Sequence, residues 1–189
     1  MVKLTFIRQA EKDNNDVGLT VEKAKRVYLL SKALRLKFGE PQFLYASKEF
    51  LSTLTASIAN LGFCAKRVAN YSAFNTGAQK REIRAFFDFI LTDATYCKCD
   101  HIVVVCPDCI FKYAYIQLPP VGNSITICGD NWRNLLQGYT HSWPPLEQNK
   151  ISVEDAKFIT ENIENAVCSD DELLLIKKTM QKACDSYVA

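Results

Sequence analysis

Apolar residues in this chain fall into two alternating patterns, short unbroken runs and stripes at helical spacing. Leu4 to Arg8 is an apolar run that reaches a charge, which reads as a buried strand ending at a polar site. A polar loop, Lys12 to Gly18, follows. Thr20 then caps a helix carrying Val27, Leu30, Leu34 and Phe38 on one face and stopped by Gly39. Gln42 to Ala46 predicts a second strand. Ser47 is placed to cap a helix from about Lys48 to Leu61, with Leu51, Leu54, Ile58 and Leu61 on one face and Gly62 closing it. Cys64 to Ala69 predicts a third strand, and Ala78 to Leu91 a helix with Ile83, Phe86, Phe87 and Ile90 as its buried stripe. The β-branched run His101 to Cys106 is the strongest strand signal and suits a sheet covered on both faces. Cys109 to Gln117 predicts a helix halted by Pro119 and Pro120, Ser124 to Cys128 a strand, and Asn131 to Gln137 a short helix capped by Asp130. Tyr139 to Lys150 is irregular. Two helices finish the chain, one capped by Ser152 and reaching about Val167, the other opened by a Ser169/Glu172 capping box and reaching about Tyr187.

Length and charge narrow the picture. A chain of 189 residues with 48% hydrophobic content can bury one ordinary core. The expectation is an α/β domain over residues 1–150 and a helical pair over 151–189 packed on the same domain. A net charge of +2 gives no reason for an obligate polyanion partner. Lys23, Lys25, Arg26, Lys32, Arg35 and Lys37 lie opposite the apolar face of their helix. They lack the interleaved aromatics that nucleic-acid stacking uses, so they read as a solvated face. Met1 to Phe50 carries ten Lys/Arg against six Asp/Glu, whereas Ile151 to Ala189 carries four against eight. A basic front and an acidic tail can attract each other or a partner. No apolar run approaches the roughly 20 residues that cross a bilayer, and the opening residues lack a secretory apolar core, so a cytoplasmic protein without membrane contact is expected. The eight cysteines read as reduced, buried thiols in that setting.

The first strand ends Arg8-Gln9-Ala10-Glu11. The run resembles the opening motif of the histidine phosphatase (phosphoglycerate mutase-like) superfamily, Arg-His-Gly-Glu, whose His is the phosphoryl-accepting nucleophile. Gln9 stands at the His position, and an amide has no comparable basic lone pair. The second junction, Ser47 to Ala56, matches the family's Ser-Pro-Leu, variable, Arg-Ala, variable, Gln-Thr-Ala at Ser47, Thr55 and Ala56. Leu51 replaces the second phosphate-clamping Arg, and a Leu cannot donate forked hydrogen bonds to a phosphoryl dianion. The third motif, Val-Ser-His-Gly in the family, reads Val105-Cys106-Pro107-Asp108, so Pro107 occupies the second His position. No Glu stands before Glu82 in the segment that carries the general acid in many members. The resemblance spans roughly Met1 to Cys128 and implies a three-layer α/β/α sandwich with a mostly parallel central sheet, plus C-terminal helices.

What persists of the implied pocket is Arg8, Glu11, Ser47 and Thr55, with Lys48 and Asp108 nearby. Three substitutions, at Gln9, Leu51 and Pro107, remove the same capability, so the expected function is that of a pseudophosphatase binding a protein or a small anionic ligand, with no cofactor and no metal. Two enzymatic alternatives stay open. One uses Arg8, Asp108 and His141, although His101 is excluded because five residues of strand place it about 17 Å from the pocket end. The other uses Cys106 and Cys109, either as a dithiol or with Cys97 and Cys99 around zinc. An extended His101–Cys106 strand would hold those two pairs apart.

Overall fold

The computed structural model describes residues 3–10, 18–72, 75–113, 124–128 and 153–188. Among the described residues five strands, β1 (Lys3–Arg8), β2 (Phe43–Ser47), β3 (Arg67–Tyr71), β4 (His101–Cys106) and β5 (Ser124–Cys128), form one sheet in the order β3-β2-β4-β1-β5. The first four in that order run parallel, and β5 pairs antiparallel with β1. The described helices are α1 (Val21–Phe38), α2 (Phe50–Phe63), α3 (Lys80–Tyr96), α4 (Asp108–Tyr113), α5 (Val153–Glu164) and α6 (Asp170–Val188).

Alternation along the strands sorts the core into two layers. Leu4, Phe6, Phe43, Tyr45, Ile102 and Val104 face α3 and α4, where they meet the expected stripe Ile83, Phe86, Phe87 and Ile90. Ile7, Leu44, Ala46, Val103 and Val105 face the other way, onto α1 and α2. Every residue of β4 is buried, as a central parallel strand covered on both faces requires. Ile176 of α6 is fully buried in the second layer, beside partly buried Phe158, Met180 and Ala183. Burying a side chain of that size contributes about 1.5–3 kcal/mol, enough to hold the C-terminal helices on α1 and α2.

Local signals explain both ends of α1 and the start of α6. The Thr20 hydroxyl accepts from Lys23 N at 3.2 Å, and Gly39 ends α1 at φ 85°. The Ser169 capping box is reciprocal, with Ser169 N donating to Glu172 Oε2 at 2.9 Å and Glu172 N to Ser169 Oγ at 3.2 Å.

Several expectations need correction. Helix α2 starts at Phe50, because the Ser47 hydroxyl accepts from Glu49 N at 3.1 Å in a turn ahead of the helix. It also runs through Gly62 to Phe63, and Cys64 takes the left-handed cap at φ 55°. Gly62 serves a close helix crossing instead: a Cβ there would lie 2.7 Å from Ser31 Cβ and 2.8 Å from Tyr28 O. Since Cys64 is a cap and Ala65 N is held by Asn60 Oδ1 at 2.9 Å, β3 begins only at Arg67. The polar face of α1 is partly covered by the C-terminal helices. Lys32 pairs with Glu172 at 2.7 Å and Lys37 lies 5.0 Å over the Phe158 ring. The basic front and acidic tail thus do meet. The predicted helix over Asn131–Gln137, the Tyr139–Lys150 segment with His141, and Glu11 lie outside the described residues.

Candidate functional site

Parallel pairing brings the C-terminal ends of β1, β2 and β4 to one edge of the sheet, where open α/β folds place their sites. A cleft of about 260 Å³ lies there, lined by Arg8, Gln9, Ala10, Leu51, Thr76, Pro107, Asp108 and Cys109. Arg8 is the last residue of β1, and its register partner is Cys106, the last of β4. Gln9 N continues the ladder to Cys106 O at 3.0 Å, which points the two strand ends into the same space. Gln9, Leu51 and Pro107, the three positions that the motif resemblance matches to catalytic residues, therefore share one cleft although they are up to 98 positions apart in sequence.

Hydrogen bonding fixes most of the polar wall. Arg8 donates to Asp108 through a fork, Nε to Oδ1 and Nη2 to Oδ2, both at 2.6 Å. This is the geometry a guanidinium uses on a bound carboxylate or phosphate, so the Asp108 carboxylate takes the place of an anionic ligand on those two donors. Gln9 is held from the other side, its Oε1 accepting from the buried Ser52 hydroxyl at 2.5 Å. Ala10 N donates to Thr55 Oγ1 at 3.2 Å while that hydroxyl donates to Leu51 O at 2.6 Å, which moors the strand end to α2. Thr55 is structural in this arrangement.

Ser47 and Lys48 do not join Arg8 in the cleft. Ser47 is buried and donates to Asn75 Oδ1 at 2.9 Å, and Lys48 lines a separate groove. One participant escaped sequence reasoning. Glu49 accepts from Thr76 N at 2.6 Å and Thr76 Oγ1 at 3.0 Å, pinning the loop that forms one wall. Its only signal in the sequence was its place ahead of α2, which reads as an ordinary helix-start acid. The cleft thus meets an incoming anion with the carboxylate of Asp108 in its wall and Glu49 behind Thr76.

The cysteine alternatives find little support in the geometry, whereas the alternative built on Arg8, Asp108 and His141 is untested, since His141 lies outside the described residues. Cys106 is fully buried, and burial pushes its thiol well above the ordinary range. Burial, with the negative field of Glu49, also raises Cys109. Reactive dithiols need the opposite shift. Cys97 and Cys99 precede the start of β4 while Cys106 is its last residue and Cys109 follows it, and among the described residues no group of three or more His, Cys, Asp or Glu is placed to hold a metal. His101, at the start of β4, is buried and far along the strand from the cleft. Its Nδ1 lies 2.9 Å from Gly39 O, an acceptor only, so Nδ1 carries the proton and the Thr5 hydroxyl donates to Nε2 at 2.9 Å. Burial lowers its pKa to about 4, so it is a neutral core residue at neutral pH.

No protein-family profile and no curated protein sequence matches the chain significantly. Solved structures do match. The phosphoglycerate mutase from Bacillus anthracis str. Sterne aligns with a TM-score of 0.57 at 12% identity, over 85% of this chain and 96% of that one. The protein histidine phosphatase SixA, solved in complex with tungstate, aligns with a TM-score of 0.53 at 12% identity, over 67% of this chain and 95% of that one. The chain has a phosphoglycerate mutase-like fold, an α/β/α sandwich with C-terminal helices, which it shares with these solved structures. At 12% identity the likeness is one of fold. Among the described residues no helix is long and apolar enough to cross a membrane.

Proposed function

We propose that the chain is a catalytically inactive member of this structural class, a pseudophosphatase that works as a binding, scaffold or regulatory module. One observation carries the reading. Gln9, Leu51 and Pro107 line a single cleft in which the remaining clamp, Arg8, is forked onto Asp108. Phosphoryl transfer depends mostly on positioning and on stabilising the charge of the transferred group, and a nucleophilic His, a second Arg and a second His would have to supply both. An amide, an isobutyl group and a proline supply neither. A small anion at Arg8 must compete with an intramolecular carboxylate, which favours a protein partner over a phosphate-bearing metabolite.

Two further features support the setting. The seven cysteines whose side chains are described are unbridged, consistent with a reducing, cytoplasmic environment, although Cys64 and Cys97 are exposed and not buried as expected. The burial of Ile176 against α1 and α2 supports reading residues 151–189 as part of the same domain as residues 1–150. The reading is tested by turnover of p-nitrophenyl phosphate. No release above buffer is expected, and robust release that disappears in Arg8→Ala would overturn the proposal.

A further inference from the structure

A second concave surface shares no lining residue with the Arg8 cleft. It lies between β3 and α6, has a volume of about 620 Å³, and includes Lys48, Phe50, Val68, Asn70, Lys182 and Tyr187. Strand β3 is at the edge of the sheet, and among the described strands it pairs with β2 alone. Arg67 N donates to Gln42 O at 3.1 Å, so alternation along a parallel strand turns the N–H and C=O of Val68 and Asn70 away from β2 and toward the side on which no described strand lies. Their side chains line the groove, and Val68 is 46% exposed. An edge to which no described strand is paired, beside a groove, is the arrangement that accepts an added strand, whose backbone extends the sheet while alternate side chains enter the groove.

The charge of the surface selects the occupant. Lys48 and Lys182 line the groove, and among the described residues that line it there is no Asp or Glu; exposed Lys66 lies just ahead of β3. Asp185, on the same helix as Lys182, is engaged by Gln181 Nε2 at 2.7 Å. The Phe50 and Tyr187 rings meet at 4.5 Å between centroids, tilted by 38°, and supply an apolar floor for side chains between the acidic ones. We infer that this groove docks an extended acidic segment of a partner protein, which adds as a strand along β3 and sets its carboxylates against Lys48 and Lys182. A nucleic acid would meet the lysines but leave the edge N–H and C=O groups without a matching ladder. This inference holds whatever the chemical competence of the Arg8 cleft.

Random-peptide phage display against the full chain tests it. Enriched peptides should be rich in Asp and Glu with intervening apolar residues. Their affinity should fall about ten-fold or more in Lys48→Glu/Lys182→Glu with an unchanged melting temperature. The amides of Val68 and Asn70 should gain hydrogen-exchange protection when an enriched peptide binds the wild-type chain. Three outcomes would overturn the inference: no enrichment, enrichment without acidic bias, or binding indifferent to the double charge reversal. Displacement of the peptide by oligouridylate would point to a nucleic acid instead. A concentration-dependent dimer abolished by Lys182→Glu would assign the edge to a second copy of the chain.

Discussion

Replacing Asp108 with Ala isolates the effect of the carboxylate that is forked onto Arg8. Arg8 is 15% exposed at its side chain and Asp108 51%, and both forked bonds are 2.6 Å. Solvent on the Asp108 side screens the pair, so its contribution to stability is held to about 1 kcal/mol despite good geometry. For an incoming anion the substitution matters more. It removes the competitor for the forked donors, about 1 kcal/mol, and a like charge in the wall, a similar amount at such exposure. Together these correspond to roughly thirty-fold tighter binding of inorganic phosphate at Arg8. Isothermal titration of wild type, Asp108→Ala and Asp108→Ala/Arg8→Ala with phosphate reads this directly. The gain should appear in the single variant and vanish in the double. Equal affinity in wild type and Asp108→Ala, or a gain that survives loss of Arg8, would refute the argument that Asp108 occupies the anion position.

Other consequences follow from the packing. Gly62→Ala places a methyl 2.7 Å from Ser31 Cβ and should cost about 1–3 kcal/mol in urea unfolding; a neutral result would contradict the close crossing of α1 and α2. Glu172 is held near pKa 2 by hydrogen bonds from Lys32, Tyr28 and Ser169 N, so its ionised form stabilises the fold above about pH 4.5 and that stability is lost as pH falls toward 2. Glu172→Ala should lower stability by about 1–3 kcal/mol at pH 7 and loosen α6, seen as faster amide exchange there. His101 is depressed to about 4 from 6.5, so the unfolded chain binds its proton first on acidification. Stability should therefore fall by up to about 3 kcal/mol between pH 6.5 and 4, and a His101→Gln variant should lose that part of the slope. Gln9→His alone should give no turnover of p-nitrophenyl phosphate, because Leu51 and Pro107 leave the other two functions missing.

Strand positions with unbroken apolar character were legible from the residues themselves. His101–Cys106 and Ser124–Cys128 fall where the β-branched runs place them, and the Ser169/Glu172 capping box forms as its spacing implies. What could not be read locally depended on tertiary neighbours. Gly62 looks like a helix stop, yet its missing Cβ is needed where α1 crosses, and the left-handed cap falls to Cys64. The lysine-rich face of α1 looks solvated because nothing in its own helix shows that Glu172 and Phe158 will arrive from residues more than a hundred positions later. The candidate site divides in the same way. Motif order located Gln9, Leu51 and Pro107, whereas the forked pairing of Arg8 with Asp108 and the hold of Glu49 on Thr76 depend on side-chain directions that no spacing encodes.

The central claim is that phosphoryl transfer has been abandoned, and incubation of the wild-type chain with excess phosphohistidine followed by ³¹P NMR tests it most directly. The account predicts intact phosphohistidine decaying at the buffer rate and no phosphate bound to the protein. Accelerated loss of the signal, or a protein-bound phosphoryl resonance absent from Arg8→Ala, would contradict it.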